Sequence, residues 1–135
     1  MLVYCHDVEA FLDFILKERQ YDPYNHMVRI GLDGGGNMFK ISMNVIDTTG
    51  HLSRKGSFKD TGVKRAIILA VVEGIKESYE NLNFILSKLN NLNRIKFSIC
   101  TDIKLLNIIS GIQSSASKQP CPYCQISKEN LGERA

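Results

Sequence analysis

Two carboxylates and two thiols are spaced so that they could do chemistry. Asp33 ends the apolar run Met27 to Asp33 and opens the glycine turn Asp33-Gly-Gly-Gly36, and Asp102 follows the apolar stretch Arg94 to Thr101. Acids at strand ends that meet in space repel unless a cation lies between them, and oxygen donors of this kind suit Mg²⁺ or Mn²⁺. Both residues also have plainer roles open to them. Asp33 before glycines can cap its own turn, and Asp102 can cap a following helix. Cys121 and Cys124, in Cys121-Pro-Tyr-Cys124, have the two-residue spacing that lets both thiolates face one Zn²⁺. That is half a tetrahedron; Cys5, His6, His26, His51 and Cys100 are the other nitrogen and sulfur donors. A redox dithiol would place the motif at a helix start after a strand, and Cys100 reads as an inert core thiol. The histidines have no orienting acid inferable from the sequence, so a Ser-His-Asp or Cys-His nucleophile is not supported. Glu73 and Glu80 are the acids considered as a third carboxylate, and Glu80, beside Tyr79, reads as facing solvent.

Charge is distributed unevenly. The first 28 residues carry five acids and two bases, a balance of −3, so the rest carries +6 against a total of +3. The densest basic stretch, His51 to Arg65, holds Arg54, Lys55, Lys59, Lys64 and Arg65 against Asp60 alone. It reads either as a solvated loop or as one that contacts nucleic-acid phosphates.

The elements that must position these groups follow from periodicity. Val8, Phe11, Leu12 and Ile15 recur at helical spacing after Asp7, a candidate N-cap, which predicts a helix over Asp7 to Arg19. Tyr21-Asp-Pro-Tyr-Asn25 breaks it. Met27 to Asp33 and the alternating stretch Met38 to Ile46, apolar at odd positions, predict two antiparallel strands around the glycine turn. Ala66 to Val72 predicts a third strand. Ile75, Tyr79, Leu82, Leu86 and Leu89 predict a helix over Ile75 to Asn90. Arg94 to Thr101 predicts a buried fourth strand. Leu105, Ile108, Ile109 and Ile112 predict a helix over Ile103 to Gln113.

That order, β-β-β-α-β-α, predicts an α/β mixed sheet whose first three strands are antiparallel. A right-handed crossover brings the fourth strand parallel to the first, so Asp33 and Asp102 converge at one sheet end. The chain divides into an N-terminal helix and linker (1–26), a sheet domain (27–113) and a Cys-x-x-Cys loop and tail (114–135). With 135 residues, 44% apolar and 23% charged, one core forms without disulfides or metal as obligatory staples. No apolar run approaches the ~18 residues of a membrane span and the start lacks a basic leader, so an intracellular protein with no membrane partner is expected.

From Ile30 to about Cys124 the chain resembles the RNase H-like superfamily, in particular the DD(E/D) transposases and the V(D)J recombinase lineage. Three features carry this: Ile30-Gly-Leu-Asp-Gly-Gly-Gly36, Ser98-Ile-Cys-Thr-Asp102, and the Cys-x-x-Cys pair 19 residues after Asp102. It is also similar to transposon-derived proteins sharing phrases like Leu-Asp-Gly-Gly-Gly and Thr-Asp-Ile-Lys-Leu. The resemblance implies an RNase H-like fold, DNA as partner, a nuclear location, Asp33 and Asp102 as catalytic ligands of Mg²⁺ or Mn²⁺, and Cys121 and Cys124 as zinc ligands. The family's third acid and its zinc-completing histidines lie further downstream and have no matching positions here. The isolated chain is therefore expected to be inactive in DNA cleavage and strand transfer, and its Cys-x-x-Cys loop indifferent to chelators. Two other readings stay open. One is a non-catalytic DNA- or protein-binding remnant. The other rests on the similarity of Gly31-Leu-Asp-Gly-Gly-Gly36 to the first phosphate loop of the sugar-kinase, Hsp70 and actin superfamily, which implies nucleotide binding, although Asn37-Met38 stands where that loop usually continues with threonine.

Overall fold

The computed structural model describes residues 1–49 and 63–111. They form a mixed α/β fold of five strands and three helices: β1 (Leu2–Tyr4), α1 (Val8–Glu18), β2 (His26–Gly35), β3 (Met38–Asp47), β4 (Ile67–Glu73), α2 (Tyr79–Lys88), β5 (Phe97–Thr101) and α3 (Ile103–Ile109). The strand order is β1-β4-β3-β2-β5. β2, β3 and β4 are successively antiparallel, and β5 runs parallel to β2. Among the described residues no helix is long and apolar enough to cross a membrane.

The long hairpin organises the sheet. β2 and β3 pair without interruption from His26 opposite Asp47 to Gly35 opposite Met38. Gly36 and Asn37 close it with φ of 57° and 67°, the left-handed pair that a two-residue turn of a right-twisted hairpin needs. A β-branched residue adopts that conformation only under strain, whereas a Cβ at Gly36 would meet nothing within 4 Å. Gly36→Val should therefore lower stability by about 1–2 kcal/mol through backbone strain alone. Thermal unfolding checks this, and an unchanged midpoint would show that the turn relaxes.

Alternation decides the two faces. Val28, Ile30 and Leu32 of β2 stand beside Val45, Met43 and Ile41 of β3, and all six are buried. Between Ile41 and Ser42 the register of β4 jumps from Ala70 to Ile68. The bulged Leu69 is 1% exposed and joins the core. Val8, Leu12, Ile15 and Leu16 of α1, Leu82, Ile85 and Leu89 of the α2 segment, and Leu105 of α3 belong to the same cluster. The helices thus cover one face. The other face carries Arg29, Gly31, Asp33, Lys40, Ser42, Asn44, Ile68, Val71, Ser98 and Cys100, none of them buried, although Ile46, at the end of that face, is fully buried outside the main core cluster.

Several expectations need correction. β1 was not anticipated: three residues at a sheet edge offer too little alternation to register. Through β1 and α1, residues 1–26 share the sheet and core of the later strands and helices. The second helix begins at Tyr79, not Ile75, because Gly74 takes φ 83° and Ser78 caps the helix, its side chain accepting from the Asn81 N–H at 3.2 Å. Tyr79 is 55% exposed and Ile85 is 1% exposed, so the buried stripe is Leu82, Ile85 and Leu89. The fourth predicted strand is shorter than Arg94 to Thr101 and is not buried. It lies at the sheet edge, and Ile99 is 49% exposed. Cys100 is exposed and not a core thiol, since it pairs with Gly31 on the uncovered face. In α3 the buried residues are Leu105 and Asn107, with Ile108 and Ile109 half-buried. Among the described residues neither amide atom of Asn107 has a hydrogen-bond partner.

Asp7 caps α1 as its position predicts: Oδ1 accepts from the Ala10 N–H at 3.0 Å, and Oδ2 accepts from the Asn91 amide at 3.0 Å. The Ala10 bond first, then the Asn91 bond, holds its carboxyl below the ordinary value of 3.8. A group depressed in the folded state contributes stability above its unfolded pKa and loses it as pH falls through the folded one. Asp7→Asn should therefore be less stable than the parent above about pH 4, with the difference closing in stronger acid. Paired pH melts would show it, and a gap independent of pH would refute it.

Candidate functional site

The parallel pairing of β2 and β5 ends with Leu32 beside Thr101. The Thr101 hydroxyl donates to the Leu32 carbonyl at 3.1 Å. Asp33 and Asp102 are the residues that follow, Asp33 still within β2 and Asp102 just past the end of β5, 69 positions apart in sequence. In an open α/β sheet this is the end at which ligands bind, outside the carboxyl ends of parallel strands where the connections diverge. Both acids are exposed. Asp33 stands opposite Lys40 in the hairpin register. Asp102 caps α3, its Oδ1 accepting from the Leu105 N–H at 2.8 Å.

Glu77 was overlooked in the sequence and also reaches this end. The cause is local. The Gly74 N–H donates to the Asn37 carbonyl at 2.9 Å, tying the exit of β4 to the hairpin turn. The Asn81 amide donates to the Lys76 carbonyl at 2.8 Å and holds the residues ahead of α2. Together these bonds lay Glu77 against Gly34, where any Cβ would overlap the Glu77 carboxylate. Glu77 forms an ion pair with Lys104, and its side chain is only 18% exposed against 70% for the lysine. Lys104 is held protonated beyond its ordinary value of 10.5, first by the hydrogen bond to Glu77, then by the charge of Glu77, and further by the charge of Asp102. A cavity of about 460 Å³ opens beside these groups, lined by Gly35 to Met38, Ile75 to Glu77 and Lys104.

Among the described residues no three His, Cys, Asp or Glu side chains stand together as a metal-ligating group. One Asp102 oxygen serves the helix cap, and Glu77 serves Lys104. Glu73 and Glu80 are both exposed; Glu73 ends β4 and Glu80 lies in the first turn of α2. Glu77 went unrecognised because Ile75 and Tyr79 fit a helical stripe that places residue 77 on the solvent side. Ser78, a cap residue directly ahead of a helix-forming run, was the available signal.

Of the other candidates, Arg54, Lys55, Lys59, Cys121 and Cys124 lie outside the described residues. Lys64 and Arg65 are exposed on a short 3₁₀ turn (Val63–Arg65) that leads into β4. The Arg65 carbonyl accepts from the Arg19 guanidinium at 3.4 Å. Burial pushes the Cys5 thiol up, and its Sγ lies 3.5 Å from the Asp7 carbonyl as a donor.

No curated protein and no solved structure matches this chain. A family model matches residues 1–133, and the chain belongs to that family, described as Domain of unknown function (DUF8703).

Proposed function

We propose that this chain is a transposon-derived, RNase H-like module of the DD(E/D) transposase and recombinase type, acting on DNA with a divalent cation held by Asp33, Asp102 and Glu77. The observation that carries the reading is the β2 and β5 register, which puts Asp33 and Asp102 one step beyond the last paired residues of adjacent parallel strands. The order β-β-β-α-β-α from β2 to α3 agrees with it, and so does the position of Glu77 against Gly34. Carboxylates offer the hard oxygens that Mg²⁺ and Mn²⁺ prefer, but the three do not stand together as a ligand group among the described residues, so holding an ion requires Glu77 to leave Lys104 and turn toward the aspartates. When bound, such an ion activates a water or 3′-hydroxyl and stabilises the leaving oxygen in phosphodiester cleavage. Gly34 gives the Glu77 carboxylate room at the strand end, and Lys104 balances its charge. Lys64 and Arg65, with the basic residues before them in sequence, supply contacts to DNA phosphates.

The test is direct. Purified 1–135 should bind Mn²⁺ by titration calorimetry and DNA in a salt-sensitive manner. Asp102→Asn keeps a helix-capping oxygen but removes the charge, and should lose the metal while retaining DNA. DNA binding with no Mn²⁺ binding would instead identify a non-catalytic remnant. Nicking of supercoiled plasmid that depends on metal and disappears in Asp102→Asn would show that the acids suffice for chemistry.

A second reading, nucleotide binding, is favoured by the cavity between the glycine turn and Lys76 and Lys104. Thermal stabilisation by ATP but not by DNA would select it.

A further inference from the structure

We propose that the outer edge of β5 is a self-association surface, on which a second copy of this chain adds its own β5 in antiparallel orientation. Among the described residues β5 is an outermost strand of the sheet and pairs only with β2. Natural edge strands are blunted by shortness, by lysine or other charge, by proline, by a bulge or by a covering segment. β5 is short and follows Lys96, but Phe97-Ser-Ile-Cys-Thr101 itself contains no proline and no charge, and the register shift of this sheet lies between β3 and β4. Its central side chain, Ile99, is 49% exposed, and the adjoining Ile103 is 61% exposed.

The flanking charges select the occupant. Lys96 precedes the strand and Asp102 follows it, at equal distances from Ile99. A two-fold axis through Ile99 therefore places Lys96 of each copy opposite Asp102 of the other. Phe97 then meets Thr101, Ser98 meets Cys100, and Ile99 meets Ile99. Directly opposed residues of an antiparallel pair share a face, so the two isoleucines cover each other. A parallel second copy would put lysine beside lysine and aspartate beside aspartate. The interface is isologous and closes at two copies. With five residues per strand it falls short of the roughly 1,600 Å² of a standard interface, so the dimer is weak and concentration-dependent.

The register supplies its own test. Opposed residues lie about 4.5–5.5 Å apart between Cα atoms, within disulfide reach. In a chain with Cys5, Cys121 and Cys124 replaced by serine, Ser98→Cys should join Cys100 of the second copy under mild oxidation and give a covalent dimer. Adding Cys100→Ser should abolish the cross-link. Analytical ultracentrifugation of the unmodified chain should show a monomer and dimer in exchange. Ile99→Lys, with unchanged circular dichroism, should weaken association by about tenfold or more, and Lys96→Glu should weaken it less. A chain that stays monomeric at millimolar concentration overturns the proposal. So does a dimer indifferent to Ile99→Lys, or a Ser98→Cys chain that does not cross-link, since each places the contact elsewhere or gives this edge to another segment.

Discussion

Glu77→Gln should weaken Mn²⁺ binding by about tenfold or more, through loss of one charge-assisted contact, whereas Lys104→Met should strengthen it. The two changes break the same ion pair, so a merely structural pair would respond alike to both. They differ in what each leaves behind. Removing Lys104 frees the Glu77 carboxylate and takes a positive charge away from Asp102, the other acid that stabilises protonated Lys104. A metal ion then no longer competes with an ammonium group. Because Lys104 is 70% exposed at its side chain, water already screens much of the competition, and the gain should be modest, roughly threefold to tenfold. The pH dependence has a definite sign. The pKa of Lys104 is raised above 10.5 in the folded chain, so the lysine is fully charged well below that pH, and on the alkaline side the ion pair is lost as pH rises through the higher folded value. Across neutral pH the competition is constant. Mn²⁺ titration of the two variants at neutral pH decides the matter, and equal affinities in Lys104→Met and the parent would remove Lys104 from the site.

The second large effect is on stability. Ile41→Ala should cost about 2–5 kcal/mol, a substantial share of the roughly 5–15 kcal/mol that holds a domain of this size together. Ile41 is fully buried and lies between Leu32 of β2 and Ala70 of β4 in the central strand. Neighbours on both sides are fixed by backbone pairing, which limits collapse into the cavity. Ile68→Ala provides the control. Ile68 is 52% exposed on the uncovered face, two residues from Ala70 across the bulge, and its loss should move stability by about 0.5 kcal/mol or less. Urea midpoints of the two variants test the assignment of faces, and a similar loss in both would mean that the second face is also packed.

What the sequence disclosed was the part governed by strong local patterns. Asp7 followed by Val8, Leu12 and Ile15 determines where α1 begins. Phe39, Ile41, Met43 and Val45 determine which face of β3 is buried. Asp102 signals a helix start, and it does cap α3. Composition gives no warning of position in a sheet, so Ile99 and Cys100 read as core when they belong to an edge strand. Leu2 to Tyr4 is too short to carry a pattern. The placing of Asp33 and Asp102 at one sheet end was legible because strand ends are, while that of Glu77 was hidden inside a periodicity that Ile75 and Tyr79 satisfied by chance. Its position depends on Gly74 bonding to Asn37, a contact between distant segments that no window of sequence contains.

The sheet also dictates an order of assembly. Its middle is a hairpin closed by a two-residue turn, a structure that forms in roughly 1–10 μs. Its two edges are joined by pairings 70 and 69 positions apart in sequence, Leu2 with Val72 and Leu32 with Thr101. Each doubling of the loop to be closed adds about 0.6 kcal/mol of entropic cost. Strand addition therefore proceeds outward from β2 and β3, and β5 docks among the last. On this order Asp33 is in place when the hairpin forms, and Asp102 joins it late.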